Sequence, residues 1–142
     1  MNAPSYRKNW IFSSKGSCLS TIRALVEDAA SNCGFTVQDV NAMKVAVSEA
    51  CANAIEHGSP KGEADTFQLE LTCDTDEITI RVRDNGLFKR KKAAEGNQLS
   101  TRGRGTYLMM ALMDSVSVEE SASGTTVSMS RSINSSEPAP TR

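Results

Sequence analysis

The sequence predicts an α+β domain, a two-layer sandwich of helices on one mixed, mostly antiparallel sheet. Three observations carry that reading. Two segments in the first half repeat apolar residues every three or four positions, the helical period. Four later segments alternate apolar and polar residues, the period of half-buried strands. The chain has 142 residues, one domain's worth, long enough to build a full core without staples.

The elements follow in order. Residues 1–9 are polar and read as a flexible N-terminus, with the domain spanning 10–131 and a disordered Ser/Pro-rich tail at 132–142. "WIFSS" reads as an edge strand. From Ser17 to Cys33, Leu19, Ile22, Leu25, Val26, Ala29 and Ala30 recur at helical spacing, and Gly34 stops the run. Thr36 opens a second helix, with Asp39 completing a carboxylate version of the capping box. Its apolar stripe is Val37, Val40, Met43, Val47, Ala50, Cys51 and Ala54, and it runs to about His57, where the loop "GSPKGEAD" follows. "TFQLELTC" and "EITIRVRD" form a strand pair turning at Asp74–Glu77. About twenty residues without a period follow, from Asn85 to Gly105, a length that is usually functional or disordered. "TYLMMALMD" then has helical spacing, and "SVSVEE" with "TTVSMS" reads as a hairpin around Ser123–Gly124.

Composition narrows the function. A formal net charge of −1 offers no overall basic excess for nucleic acid, and the cations that cluster sit in one loop without an aromatic stacking platform. No apolar run nears the roughly 18 residues of a membrane span, and the N-terminus lacks a signal-peptide core. Cys18, Cys33, Cys51 and Cys73 are scattered without a CxxC pair; three sit in apolar segments and read as small core residues in a reducing cytoplasm, and the set makes no zinc-ligand pattern.

Four motifs carry chemistry. On the second helix Glu49, Asn53 and His57 stand four residues apart, stepping about 40° around the axis and about 6 Å along it. Ala42 and Ala46 are their neighbours on that edge. A polar outer face with His57 at the dipole's negative end fits this spacing. A ligand-facing edge kept clear by these small residues also fits it, with an amide oxygen suited to Mg²⁺ and a carboxylate suited to a proton. Asp84 ends a strand before Asn85 and Gly86. That is good turn chemistry, and equally a carboxylate placed to accept a hydrogen bond from an exocyclic amino group. "RGRGT" places glycines before a helix whose N-terminus offers N–H groups to phosphate. Lys89, Arg90, Lys91, Lys92, Arg102 and Arg104, six of the sixteen cations, share the preceding loop: a solvated charge run or a lid over an anion. "SGTTVSMS" alone is no more than a hairpin.

In this order the motifs resemble those of the ATPase superfamily of gyrase, heat-shock chaperones, histidine kinases and mismatch-repair proteins. Within it, "VSEACANAIEHG", "MDSVSVEES" and "GTTVSMS" are most similar to the bacterial anti-sigma-factor serine kinases of partner-switching modules. The resemblance covers roughly Trp10 to Arg131 and implies a Bergerat-type ATP-binding fold. It implies that Asn53 coordinates Mg²⁺, that Glu49 is the general base, and that Asp84, beside Gly86, reads adenine. Gly103, Arg104, Gly105 and Thr106 match the phosphate-side turn. Thr125 or Thr126 matches the threonine that supports the adenine contact. His57 matches a common histidine at the helix end. Two departures are visible: the first glycine box reads "DNGLF", with Phe88 where a second glycine is usual, and the lid after it is unusually cationic.

The resemblance further implies a cytoplasmic serine/threonine kinase that uses ATP and Mg²⁺ to phosphorylate a small anti-sigma-factor antagonist. Such a kinase also sequesters a sigma factor or similar regulator, forms a homodimer, and touches neither nucleic acid nor membrane directly. The rival is a non-catalytic module that binds ATP and captures a regulator without phosphorylating anything.

Overall fold

The computed structural model describes residues 6–74, 76–86 and 107–133. The order is β1 (Tyr6–Ser13), α1 (Leu19–Asn32), α2 (Val37–His57), β2 (Thr66–Cys73), β3 (Glu77–Asp84), a short helix over 107–112, β4 (Ser115–Ser121) and β5 (Gly124–Ser132). The strands form one sheet in the order β1-β2-β3-β5-β4. Every pairing is antiparallel, so the mixed character expected from the sequence is absent among the described residues. β1 is an edge strand as expected, but it starts at Tyr6, inside the stretch read as flexible. Lys8 and Asn9 pair with Leu71 and Glu70, and this pairing orders the polar segment.

Alternation builds the sheet. Phe67, Leu69 and Leu71 of β2 and Ile78, Ile80 and Val82 of β3 face the helices and are buried. α1 adds Ile22, Val26, Ala29 and Ala30, and α2 adds Met43, Val47, Ala50 and Cys51. Burial pushes the Cys51 thiol far above its ordinary pKa, which leaves it an inert core group. Met109 and Met113 close the same core from the short helix and its end.

Three local readings change. Val37, placed on the core stripe, is 76% exposed, because the first helical residue projects beyond the layer. The capping box is half made. The Asp39 N–H donates to Thr36 Oγ1 at 3.1 Å, while the Asp39 carboxylate accepts from Arg131 Nη2 at 2.7 Å. The cysteines are not all unpaired: Cys33, just past α1, and Cys73, at the end of β2, form a disulfide.

The Asp39–Arg131 pair fastens the start of α2 to β5, and Arg131 Nη1 also donates to the Leu112 carbonyl. Removing one partner of a buried pair strands the other. Asp39→Ala is therefore expected to cost about 2–3 kcal/mol, below the fully buried range because the Arg131 side chain is 18% exposed. Urea denaturation checks this, and a loss under about 0.5 kcal/mol would mean that the pair is held like a surface one.

Candidate functional site

The site lies where the end of α2 meets the end of β3. α2 is held by a buried stripe, so side chains on its other edge project from a fixed frame. Glu49 is half-buried, Asn53 is 9% exposed and His57 is half-buried in the last turn. This edge is not a solvated face. Ala46, three residues before Glu49, is fully buried and Ala42 half-buried, so the small residues are packed against rather than left clear for a ligand. His57 Nε2 stands 3.9 Å from Glu56 Oε1.

β3 delivers Asp84 at its last position. Alternation turns this residue inward with Ile80 and Val82, so a carboxylate that is 4% exposed ends a hydrophobic row. The Gly86 N–H donates to Asp84 Oδ1 at 2.9 Å, an Asx-type turn. Across the sheet Asp84 pairs with Thr125, which is fully buried. Thr126, one residue on, faces the other way. With Arg83, Arg81 and Gln68 it lines a groove of about 340 Å³ on the outer face of the sheet. Of the two threonines, only Thr125 shares the side of Asp84.

Sequence reasoning missed how tightly glycines enclose this carboxylate. Gly58, the residue after α2, abuts it: a Cβ there would stand 2.2 Å from Asp84 Cγ. Gly124, at φ +144°, presses on the Asp84 carbonyl from β5, where a Cβ would fall 1.9 Å from that oxygen. Asp84 and the α2 edge therefore belong to one constellation.

The donor set bears on what it could hold. Asn53 Nδ2 and Thr125 Oγ1 are buried with no hydrogen-bond partner among the described residues. Buried polar atoms without partners are costly, and a bound ligand would satisfy them. A carboxamide that can turn its oxygen outward fits Mg²⁺, an ion usually held by one or two protein oxygens plus phosphates. No cluster of three or more His, Cys, Asp or Glu that could hold a metal ion stands among the described residues. Gly103, Arg104, Gly105 and Thr106, together with Phe88 and Lys89 to Lys92, lie outside the described residues.

Comparison with known proteins shows the family. The histidine kinase-like ATPase domain family matches residues 12–131. The chain is 35% identical to the serine-protein kinase RsbW of Bacillus velezensis over 124 residues, covering 80% of this chain and 77% of that one. It is 34% identical, with the same coverage, to serine-protein kinase RsbW of Bacillus subtilis. A solved structure of the RsbU and RsbW domains of a Mycobacterium tuberculosis protein superposes with a TM-score of 0.68 at 18% identity. That match covers 90% of this chain and 32% of the other, and it shows the shared fold. The chain belongs to the RsbW-like serine-protein kinases of the histidine kinase-like ATPase superfamily.

Proposed function

We propose that this kinase transfers the γ-phosphoryl group of ATP to a serine or threonine of a small anti-sigma-factor antagonist. In the same reading it sequesters a sigma factor or similar regulator, works in the cytoplasm and acts as a homodimer. One observation supports the nucleotide assignment above others. Asn53 and Thr125, both buried with unmet polar atoms, stand on the two elements whose ends enclose Asp84. Among the described residues no helix is long and apolar enough to cross a membrane.

Phosphoryl transfer asks mainly for positioning and charge neutralisation. Asp84 accepts a hydrogen bond from the adenine amino group, and Thr125 supports that contact. Asn53, further along α2, offers its amide oxygen to Mg²⁺, which when bound supplies neutralisation of the phosphate oxygens. Glu49, one turn beyond, takes or orients the proton of the attacking hydroxyl. Gly103, Arg104, Gly105 and Thr106, which lie outside the described residues, would serve the phosphates by the family resemblance alone, together with the basic segment before them. His57 ends the same edge and borders the nucleotide.

The test is transfer. The purified chain is incubated with γ-labelled ATP and with antagonist candidates captured from native extract. Label is expected on a serine or threonine of the antagonist, and chelation of Mg²⁺ should abolish it. A captured antagonist that stays unlabelled would replace the kinase reading with the non-catalytic module.

A further inference from the structure

We propose that Gly58 is a positioning residue for base recognition: its bare Cα sets where the Asp84 carboxylate stands, and thereby the preference for adenine. The inference rests on reading Asp84 as the adenine acceptor.

Gly58 has φ −103°, an angle open to any residue, so the position is not glycine for conformational reasons. What it excludes is bulk. A Cβ would lie 2.2 Å from both Cγ and Oδ2 of Asp84 and 2.7 Å from Oδ1, so the whole carboxylate faces the glycine.

Neither side can readily retreat. The Gly58 N–H donates to the Asn53 carbonyl at 3.2 Å and to the Ala54 carbonyl at 3.0 Å, closing α2. The next residue is pinned as well: Ser59 Oγ donates to the Ala54 carbonyl at 2.8 Å, and Ser14 Oγ lies 2.6 Å from Ser59 Oγ, inside the protein. On the far side Asp84 is backed by Gly124, which touches its carbonyl. Gly86 shuts the third side, because a Cβ there would meet the Gly58 Cα at 2.3 Å. The least constrained response to a side chain at 58 is rotation of the Asp84 carboxylate, which would break its bond to the Gly86 N–H.

Gly58 also follows directly on the helix that carries Glu49 and Asn53. Its contact with Asp84 therefore fixes the distance between the phosphate-side groups and the base-side carboxylate. A substitution here should alter which base is preferred, not merely how well the domain folds.

The experiment compares ATP with inosine triphosphate, whose base lacks the exocyclic amino group. Calorimetry gives Kd for both nucleotides with the wild type, Gly58→Ala, Gly58→Val and Asp84→Asn. Melting of each nucleotide-free protein reports folding. The wild type should favour ATP. Gly58→Val should lose about tenfold or more in ATP affinity while inosine triphosphate changes by about twofold or less, so that the preference collapses. Gly58→Ala should fall between, and it decides the matter if the valine variant does not fold. An equal fall for both nucleotides would make Gly58 merely structural, and an unchanged preference in a folded variant would also overturn the proposal. Asp84→Asn separates the two levels. If it leaves the preference intact, the reading of Asp84 fails; if it shifts the preference while the Gly58 variants do not, only the role of Gly58 fails.

Discussion

Glu49→Gln is expected to leave ATP bound and to lower phosphoryl transfer by about 10²–10⁴-fold, the usual worth of general-base help. The two effects separate because of where Glu49 stands. Gly58, the residue after α2 that touches Asp84, lies nine positions further on, which is about 14 Å of helix. Base recognition and proton handling therefore occupy opposite ends of the edge. The backbone at Glu49 is fixed by its neighbours, since Val47 and Ala50 are buried on the core side and Ala46 is buried as well. A glutamine keeps the length and shape of the side chain and removes only its capacity to accept a proton. Single-turnover transfer to the antagonist, measured beside the ATP Kd, reads both quantities. Transfer at the wild-type rate would remove Glu49 from the chemistry, and a matched loss of ATP affinity would make it a binding residue.

Much of this arrangement was legible because it is periodic. The four-residue spacing of Glu49, Asn53 and His57 needs only a helix to become an edge, and α2 runs over Val37–His57 as the spacing suggests. Alternation in "EITIRVRD" likewise fixes the side on which Asp84 falls once Ile80 and Val82 take the core. What stayed hidden depends on contacts between distant segments. Gly58 reads locally as a helix stop, and only the approach of β3, 26 residues on, turns it into a wall for Asp84. The choice between Thr125 and Thr126 waits on the β3–β5 register, which pairs Thr125 with Asp84 and sends Thr126 to the outer face with Arg83. Asp39 reads as half of a capping box until Arg131, 92 residues away, takes its carboxylate. Cys33 and Cys73 meet across 40 residues, with no local pattern to announce it. Ala46 looks like a residue that keeps an edge open and is instead wholly covered, because a wheel gives direction but not what packs there.

Asp84→Asn is expected to weaken ATP binding by roughly 10- to 150-fold, the equivalent of about 1.5–3 kcal/mol for a hydrogen bond to a charged group. The substitution is nearly isosteric, so the size of the effect turns on acceptor counting. An aspartate has two acceptor oxygens, and one already receives the Gly86 N–H at 2.9 Å. An asparagine has one. If that oxygen serves the Gly86 N–H, the amide nitrogen confronts the adenine amino group, donor against donor. If it serves adenine, the amide nitrogen confronts the Gly86 N–H, inside a site where Asp84 is only 4% exposed and water cannot readily intervene. The enclosure by Gly58 and Gly124 leaves little room to escape this choice by rotation. Binding should therefore fall while folding changes little, and transfer at saturating ATP should recover a large share of the wild-type rate, since Glu49 and Asn53 are untouched. Calorimetry for affinity and saturation kinetics for kcat make the split visible. Wild-type affinity in the asparagine variant would mean that adenine is read elsewhere, and a loss confined to kcat would place Asp84 in the chemistry and not in the base pocket.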